Sequence, residues 1–189
     1  LGIEQFDGNL NDILSMCKEN NIPVIISTLS SNLKDQPPFV SLESDKLPKA
    51  SDVYNEAVLK ISNTTEALKL FRYAKDLDGL RFRAPSKINE IIIAQAKKYN
   101  YPLVQIDSIF NSNSPQGITG NNLMTDHLHP TFEGYKLIGE SYFDVMIKNN
   151  LLPKTQQENI DESKLDSLVT SITYITRLDS IIANYRILV

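Results

Sequence analysis

The chain has 189 residues, 41% of them hydrophobic, enough for a packed core in one domain with an appended element. Nineteen basic residues against 23 acidic ones leave a net charge of -4, and no Lys/Arg cluster interleaves with aromatics, so no nucleic-acid partner is expected. Cys17 is the single cysteine, which excludes an internal disulfide and a thiolate metal cluster, and no apolar run reaches the ~18 residues of a transmembrane segment.

The start, Leu1-Gly2-Ile3-Glu4-Gln5, has neither the basic region nor the apolar stretch of a signal peptide, and the end, Arg186-Ile187-Leu188-Val189, is apolar without a stop signal. The expectation is a piece cut from a longer protein, and no compartment is assigned. From Asn9 to Glu19, Leu10, Ile13, Leu14 and Cys17 recur at helical spacing, and Asn20-Asn21-Ile22-Pro23 ends the helix. Pro23-Val24-Ile25-Ile26-Ser27-Thr28 follows as a short β-branched apolar run, predicting a strand buried on both faces of a parallel sheet. Lys34 to Lys49, with Pro37, Pro38 and Pro48, reads as an irregular excursion over the surface.

Two helical segments, about Ser51 to Ser62 and Thr64 to Asp76, form an expected hairpin with Ala57, Ala67 and Ala74 as small packing positions. Pro85 opens a helix with Ile88, Ile91, Ile92 and Ala96 on one face; Tyr99-Asn100-Tyr101-Pro102 closes it and the strand Leu103 to Asp107 comes next. Two helix-then-strand steps predict an α/β fold with a doubly wound parallel sheet, because parallel neighbours need a crossover helix. Asn111 to Asn122 reads as loop, and Phe132 to Lys148 as a helix packing back through Tyr135, Leu137, Ile138, Tyr142 and Met146. From about Ile160 an amphipathic helix carries Leu165, Leu168, Val169, Ile172, Ile175, Leu178 and Ile182, its stripe expected to bury on the hairpin or on residues beyond this chain.

The chemistry concentrates in Asp126-His127-Leu128-His129-Pro130, a loop before a helix and after the second strand, where open α/β sheets keep their sites. A histidine can take a serine proton near neutral pH if a carboxylate fixes its tautomer and stabilises the imidazolium. Asp126, three residues before His129, is placed to do this, and Pro130 stiffens the turn.

With Gly134-Tyr135 and Ile138 following it, this block resembles the C-terminal block of the SGNH (GDSL-type) hydrolases. Residues Ile22 to Phe39, including Ser30-Ser31-Asn32-Leu33, and the stretch Lys75 to Pro85 resemble a bacterial subgroup in which that domain occurs with tetratricopeptide-like helices. The similarity covers roughly residues 9 to 148. It implies a three-layer α/β/α fold, incomplete here, with residues 1–150 as the C-terminal part of the domain, a helical insertion at about 50–76, and a linker and helical extension over 151–189. It also implies hydrolysis of an ester, often an acyl or acetyl group on a carbohydrate or lipid, without a cofactor, with His129 as general base and Asp126 as its orienting acid. The family's Gly-Asp-Ser nucleophile block and its two oxyanion blocks are not found; Gly8-Asn9-Leu10-Asn11-Asp12 has the wrong spacing and lies in a helix. The chain by itself is therefore expected to be inactive.

Several residues carry two readings. Ser30, with Ser31, could serve as a substitute nucleophile, or could bond within its loop or line a substrate channel, and Asn32 shares the last two roles; no Gly-x-Ser-x-Gly elbow surrounds them. His127 and His129 with Asp126 could hold a metal, but a third separated ligand is not identifiable and no metal is expected. Arg81 and Arg83 flank Phe82 and either pair with Asp76 or Asp78, or Arg83 faces the active-site loop and binds an anionic substrate group. A non-catalytic scaffold, with the helical segments contacting a protein partner, is the competing functional class.

Overall fold

The computed structural model describes residues 2–153 and, beyond them, positions 164, 167–169, 171, 176–179 and 181. The chain divides into two compact units, Leu1–Val145 and Met146–Val189. In chain order the elements are α1 (Gly2–Glu19), β1 (Ile26–Ser27), α2 (Ala50–Leu59), α3 (Thr64–Leu77), α4 (Ser86–Tyr99), β2 (Leu103–Val104), α5 (Ile106–Ser112), a 3₁₀ turn (Pro115–Gly117) and α6 (Phe132–Lys148).

Both helices that lead into strands end by the same device. Asn21 and Asn100 adopt the left-handed conformation, each with φ of 55°, and the next residue donates its N–H back to the helix, Ile22 to Cys17 O and Tyr101 to Ala96 O. Asparagine tolerates that conformation, and a proline two residues later, Pro23 or Pro102, cannot continue a helix. The chain therefore turns into an extended segment at the same point in both halves.

β1 and β2 are parallel neighbours, Ile26 opposite Leu103 and Ser27 opposite Val104. Flanking bonds run from Ile26 N–H to Pro102 O and from Thr28 N–H to Val104 O, both 3.0 Å. Pairing ends there, because Thr28 turns its hydroxyl onto Asp107 at 2.7 Å while the other chain segment enters α5 at Ile106. The expected doubly wound sheet and three-layer α/β/α architecture are thus corrected: the described residues are 57% helical and 4% strand, with one two-stranded parallel sheet. A run such as Val24-Ile25-Ile26 reports burial on both faces, which helices on either side of a single strand pair satisfy as well as a wide sheet does.

Alternation along the pair divides the core. Val24, Ile26 and Leu103 join Leu10 and Leu14 of α1 and Ile88, Ile92 and Ala96 of α4; Ile25 and Val104 join Phe110 of α5 and Leu137, Ile138, Tyr142 and Val145 of α6. Tyr135, expected on the packed face of α6, is exposed instead. A third cluster unites α2 and α3 through Ala57, Ala67 and Phe71 with Leu33 and Ile118. The three alanines of the hairpin are fully buried, and the small side chains let its helices approach closely.

In the second unit, Leu151 N–H closes onto Met146 O at 2.9 Å, and Thr176 and Asp179 cap each other's backbone N–H groups reciprocally. Most of the expected C-terminal stripe, Leu165, Ile172, Ile175 and Ile182, lies outside the described residues. No helix among the described residues is long and apolar enough to cross a membrane.

Candidate functional site

The Asp126–His129 turn is a closed loop on a short stem. Met124 and Pro130 form an antiparallel bridge, Thr125 N–H donates to His129 O at 2.8 Å, and Thr131 N–H donates to Leu123 O at 2.9 Å. Met124 and Leu123 anchor the stem in the core beneath α6. Thr131 then caps α6 by accepting Gly134 N–H on its hydroxyl at 3.1 Å. Gly134 lies so close to the stem that a Cβ there would stand 2.4 Å from Leu123 O, so only glycine lets the first turn of α6 seat against it.

Within the loop Asp126 organises everything. Its Oδ1 accepts the backbone N–H groups of Leu128 and His129 at 2.9 and 2.8 Å, the aspartate turn that polar side chains favour locally. Its Oδ2 meets His129 Nδ1 at 2.7 Å. A carboxylate can only accept, so Nδ1 carries the proton and the Nε2 lone pair is directed outward. Among the described residues nothing bonds to Nε2, and the His129 side chain is 60% exposed. Partial burial works to raise the Asp126 pKa, but the two backbone donors and the His129 ring together outweigh it and hold the carboxyl below its ordinary value.

His127 faces the other way. Its ring is buried, stacks on Phe39 with centroids 3.8 Å apart, and holds Pro37 O through Nε2 at 3.1 Å. Burial, helped by Arg83, outweighs the Pro37 carbonyl and the Asp126 and Asp78 carboxylates, so its pKa lies below the usual imidazole value. The two histidines therefore do not converge, and no group of three or more metal-ligating side chains occurs among the described residues.

Asn32 is completely buried and joins this turn to the loop after β1: its N–H donates to His127 O at 3.0 Å, its amide nitrogen to Asn121 Oδ1 at 2.8 Å, and its Oδ1 accepts Asp35 N–H at 3.0 Å. Its carbonyl accepts Arg83 Nη1 at 2.8 Å. Arg83 is buried too, donating also to Gln36 O at 3.0 Å and standing 3.5 Å from Asp78 Oδ2. Asp78 accepts the N–H groups of Phe39, Val40 and Leu80. The Lys75-to-Pro85 stretch thus straps the irregular 32–42 segment against the site, and Asn32 and Arg83 make their polar contacts within the protein.

Ser30 and Ser31 lie elsewhere, in a cleft at the carboxyl ends of the strands, and no hydrogen bond joins them to His129 among the described residues. That cleft also contains Arg72 and Asp107, which sequence reasoning passed over. Asp107 accepts Thr28 Oγ1 at 2.7 Å and Arg72 Nη2 at 3.4 Å. An acidic residue just past a buried strand was the available signal for it. Arg72 sits on a helix with no motif around it. The chain matches no family model, no curated protein and no solved structure.

Proposed function

We propose that Asp126 and His129 are the acid–base half of a serine-type ester hydrolase centre, as the resemblance to SGNH hydrolases implies, acting on acyl or acetyl esters of carbohydrates or lipids. The observation that supports the reading is the 2.7 Å contact between Asp126 Oδ2 and His129 Nδ1, with Nε2 left open to solvent. In the reaction Nε2 accepts the proton of a serine hydroxyl as it attacks the ester carbonyl, and returns it to the leaving alkoxide. Asp126 stays ionised throughout, supported by two backbone N–H donors, and stabilises the imidazolium. The sequence has no Gly-Asp-Ser block, so the proposal assigns only the acid–base half to these residues.

The test is labelling with a fluorophosphonate, which reacts with activated serines, of this chain and of the longest natural protein that contains it, with the adduct located by mass spectrometry. Labelling of the longer protein that disappears in His129→Ala is the expected result. Labelling unchanged by that substitution would sink the assignment. An adduct on Ser30 or Ser31 of the short chain would move the nucleophile to the loop after β1, and silence from both proteins would favour the non-catalytic scaffold.

A further inference from the structure

A cleft of about 190 Å³ opens at the carboxyl ends of β1 and β2. The loop after β1 contributes Ser30 and Ser31, α3 contributes Arg72 and Lys75, the first turn of α4 contributes Ser86, and α5 contributes Asp107 and Asn111. The volume is below the ~300 Å³ at which pockets for drug-sized ligands begin, so a ligand that fits is small.

The balance of donors and acceptors identifies its class. The acceptors are engaged: Asp107 holds Thr28 Oγ1 on Oδ1 and Arg72 on Oδ2, and Asn111 Oδ1 takes both the N–H and the hydroxyl of Thr119 at 3.0 and 2.8 Å. Glu90, at the rim, accepts Lys87 Nζ at 2.7 Å. The donors are not. Among the described residues the hydroxyls of Ser30 and Ser31 have no protein partner, and Ser86 Oγ is buried without one. Lys75 Nζ donates to Ala84 O at 2.8 Å and stands 3.6 Å from Asp76 Oδ1, which leaves ammonium N–H capacity. Arg72 has the single long contact to Asp107, leaving most of its five donors.

Two cations and three unpartnered hydroxyls able to donate, beside the carboxylates of Asp107 and Glu90 that already hold Arg72 and Lys87, are complementary to a group rich in acceptors and negatively charged. We propose that this cleft binds a small oxyanion, a carboxylate or a phosphate, through Arg72, Lys75, Ser30, Ser31 and Ser86. Charge-assisted bonds of this kind are shorter and stronger than neutral ones. Burial depresses the Lys75 pKa despite the nearby Asp76 carboxylate, and a bound anion would favour the charged ammonium. The site shares no residue with the Asp126–His129 pair, and its test requires no ester hydrolysis.

Isothermal titration calorimetry of the 189-residue chain with inorganic phosphate and, separately, with acetate, each against chloride at matched ionic strength, decides the question. Saturable binding of at least one anion is expected, weakened about tenfold by Ser30→Ala/Ser31→Ala and by Arg72→Ala. The thermal midpoint of the free Ser30→Ala/Ser31→Ala protein should not change, because among the described residues the two hydroxyls have no partner to lose. Saturation by phosphate alone or by acetate alone names the source of the oxyanion. Absence of saturable binding by either, or binding indifferent to both variants, overturns the proposal.

Discussion

The Asp126–His129 turn and the cleft at the strand ends are built on opposite principles. In the turn, both carboxylate oxygens are committed, Oδ1 to two backbone N–H groups and Oδ2 to the His129 ring, through contacts of 2.7 to 2.9 Å, and a single ring lone pair faces outward. In the cleft the acceptors are committed and the donors are left over. The first arrangement suits a base and the second an anion. The difference teaches that the useful quantity at a polar site is the residue of unsatisfied groups, since charges already paired have little left to offer a ligand.

The largest effect expected from breaking this contrast is at Asp126. In Asp126→Asn the amide nitrogen can donate to His129 Nδ1, which moves the ring proton to Nε2 and removes the base of the proposed function; fluorophosphonate labelling of the longest natural protein that contains the chain should then fall by roughly 10²- to 10⁴-fold. Labelling kinetics check it. Next in size is the strap beneath the site. Asp78→Ala leaves Arg83 and three backbone N–H groups without their carboxylate in the interior, and should cost about 3–5 kcal/mol in urea unfolding.

Gly134→Ala tests the seat of α6 on the turn. Its methyl group would overlap Leu123 O, so a loss of about 1–3 kcal/mol is expected, with the cleft and its anion binding unaffected. A gain in stability would show that the stem yields easily. The smallest effect sharpens the contrast between the histidines. The His127 pKa is lowered in the folded protein, so the stability tied to its neutral form is present above the unfolded imidazole value of about 6.5 and is lost as pH falls through the folded value. His127→Phe, which keeps the stack on Phe39, should flatten the stability profile in that acid window, as measured by denaturant midpoints; an unchanged slope would assign the acid sensitivity to another group, Asp126 among them.

Local chemistry was readable wherever neighbouring residues decide the outcome. The bounds of α6 follow from Pro130 and the apolar spacing that ends near Lys148, and the Asn-x-Pro sequences stop α1 and α4 where expected. The turn is equally local: an aspartate followed at two and three residues by free N–H groups folds onto them. Strand content was not readable, because an apolar run measures how deeply a segment is buried and carries no record of how many strands lie beside it. α5 was hidden because Ile106 and Asp107 extend a β-branched run, while the Asn and Ser residues after them read as loop.

By itself, the sequence determined α2, α3, α4 and α6, the stops of α1 and α4, the hairpin with its small packing alanines and the Asp126–His129 pairing, since each depends mainly on residues close along the chain. Tertiary structure decided the rest: that a single strand pair suffices, that Arg83 and Asn32 face inward, and that Ser30, Arg72, Ser86 and Asp107 meet in one cleft. Those outcomes join residues tens of positions apart, and which side chain meets which across such distances is set by how the helices pack on the strands, a relation that no local spacing encodes.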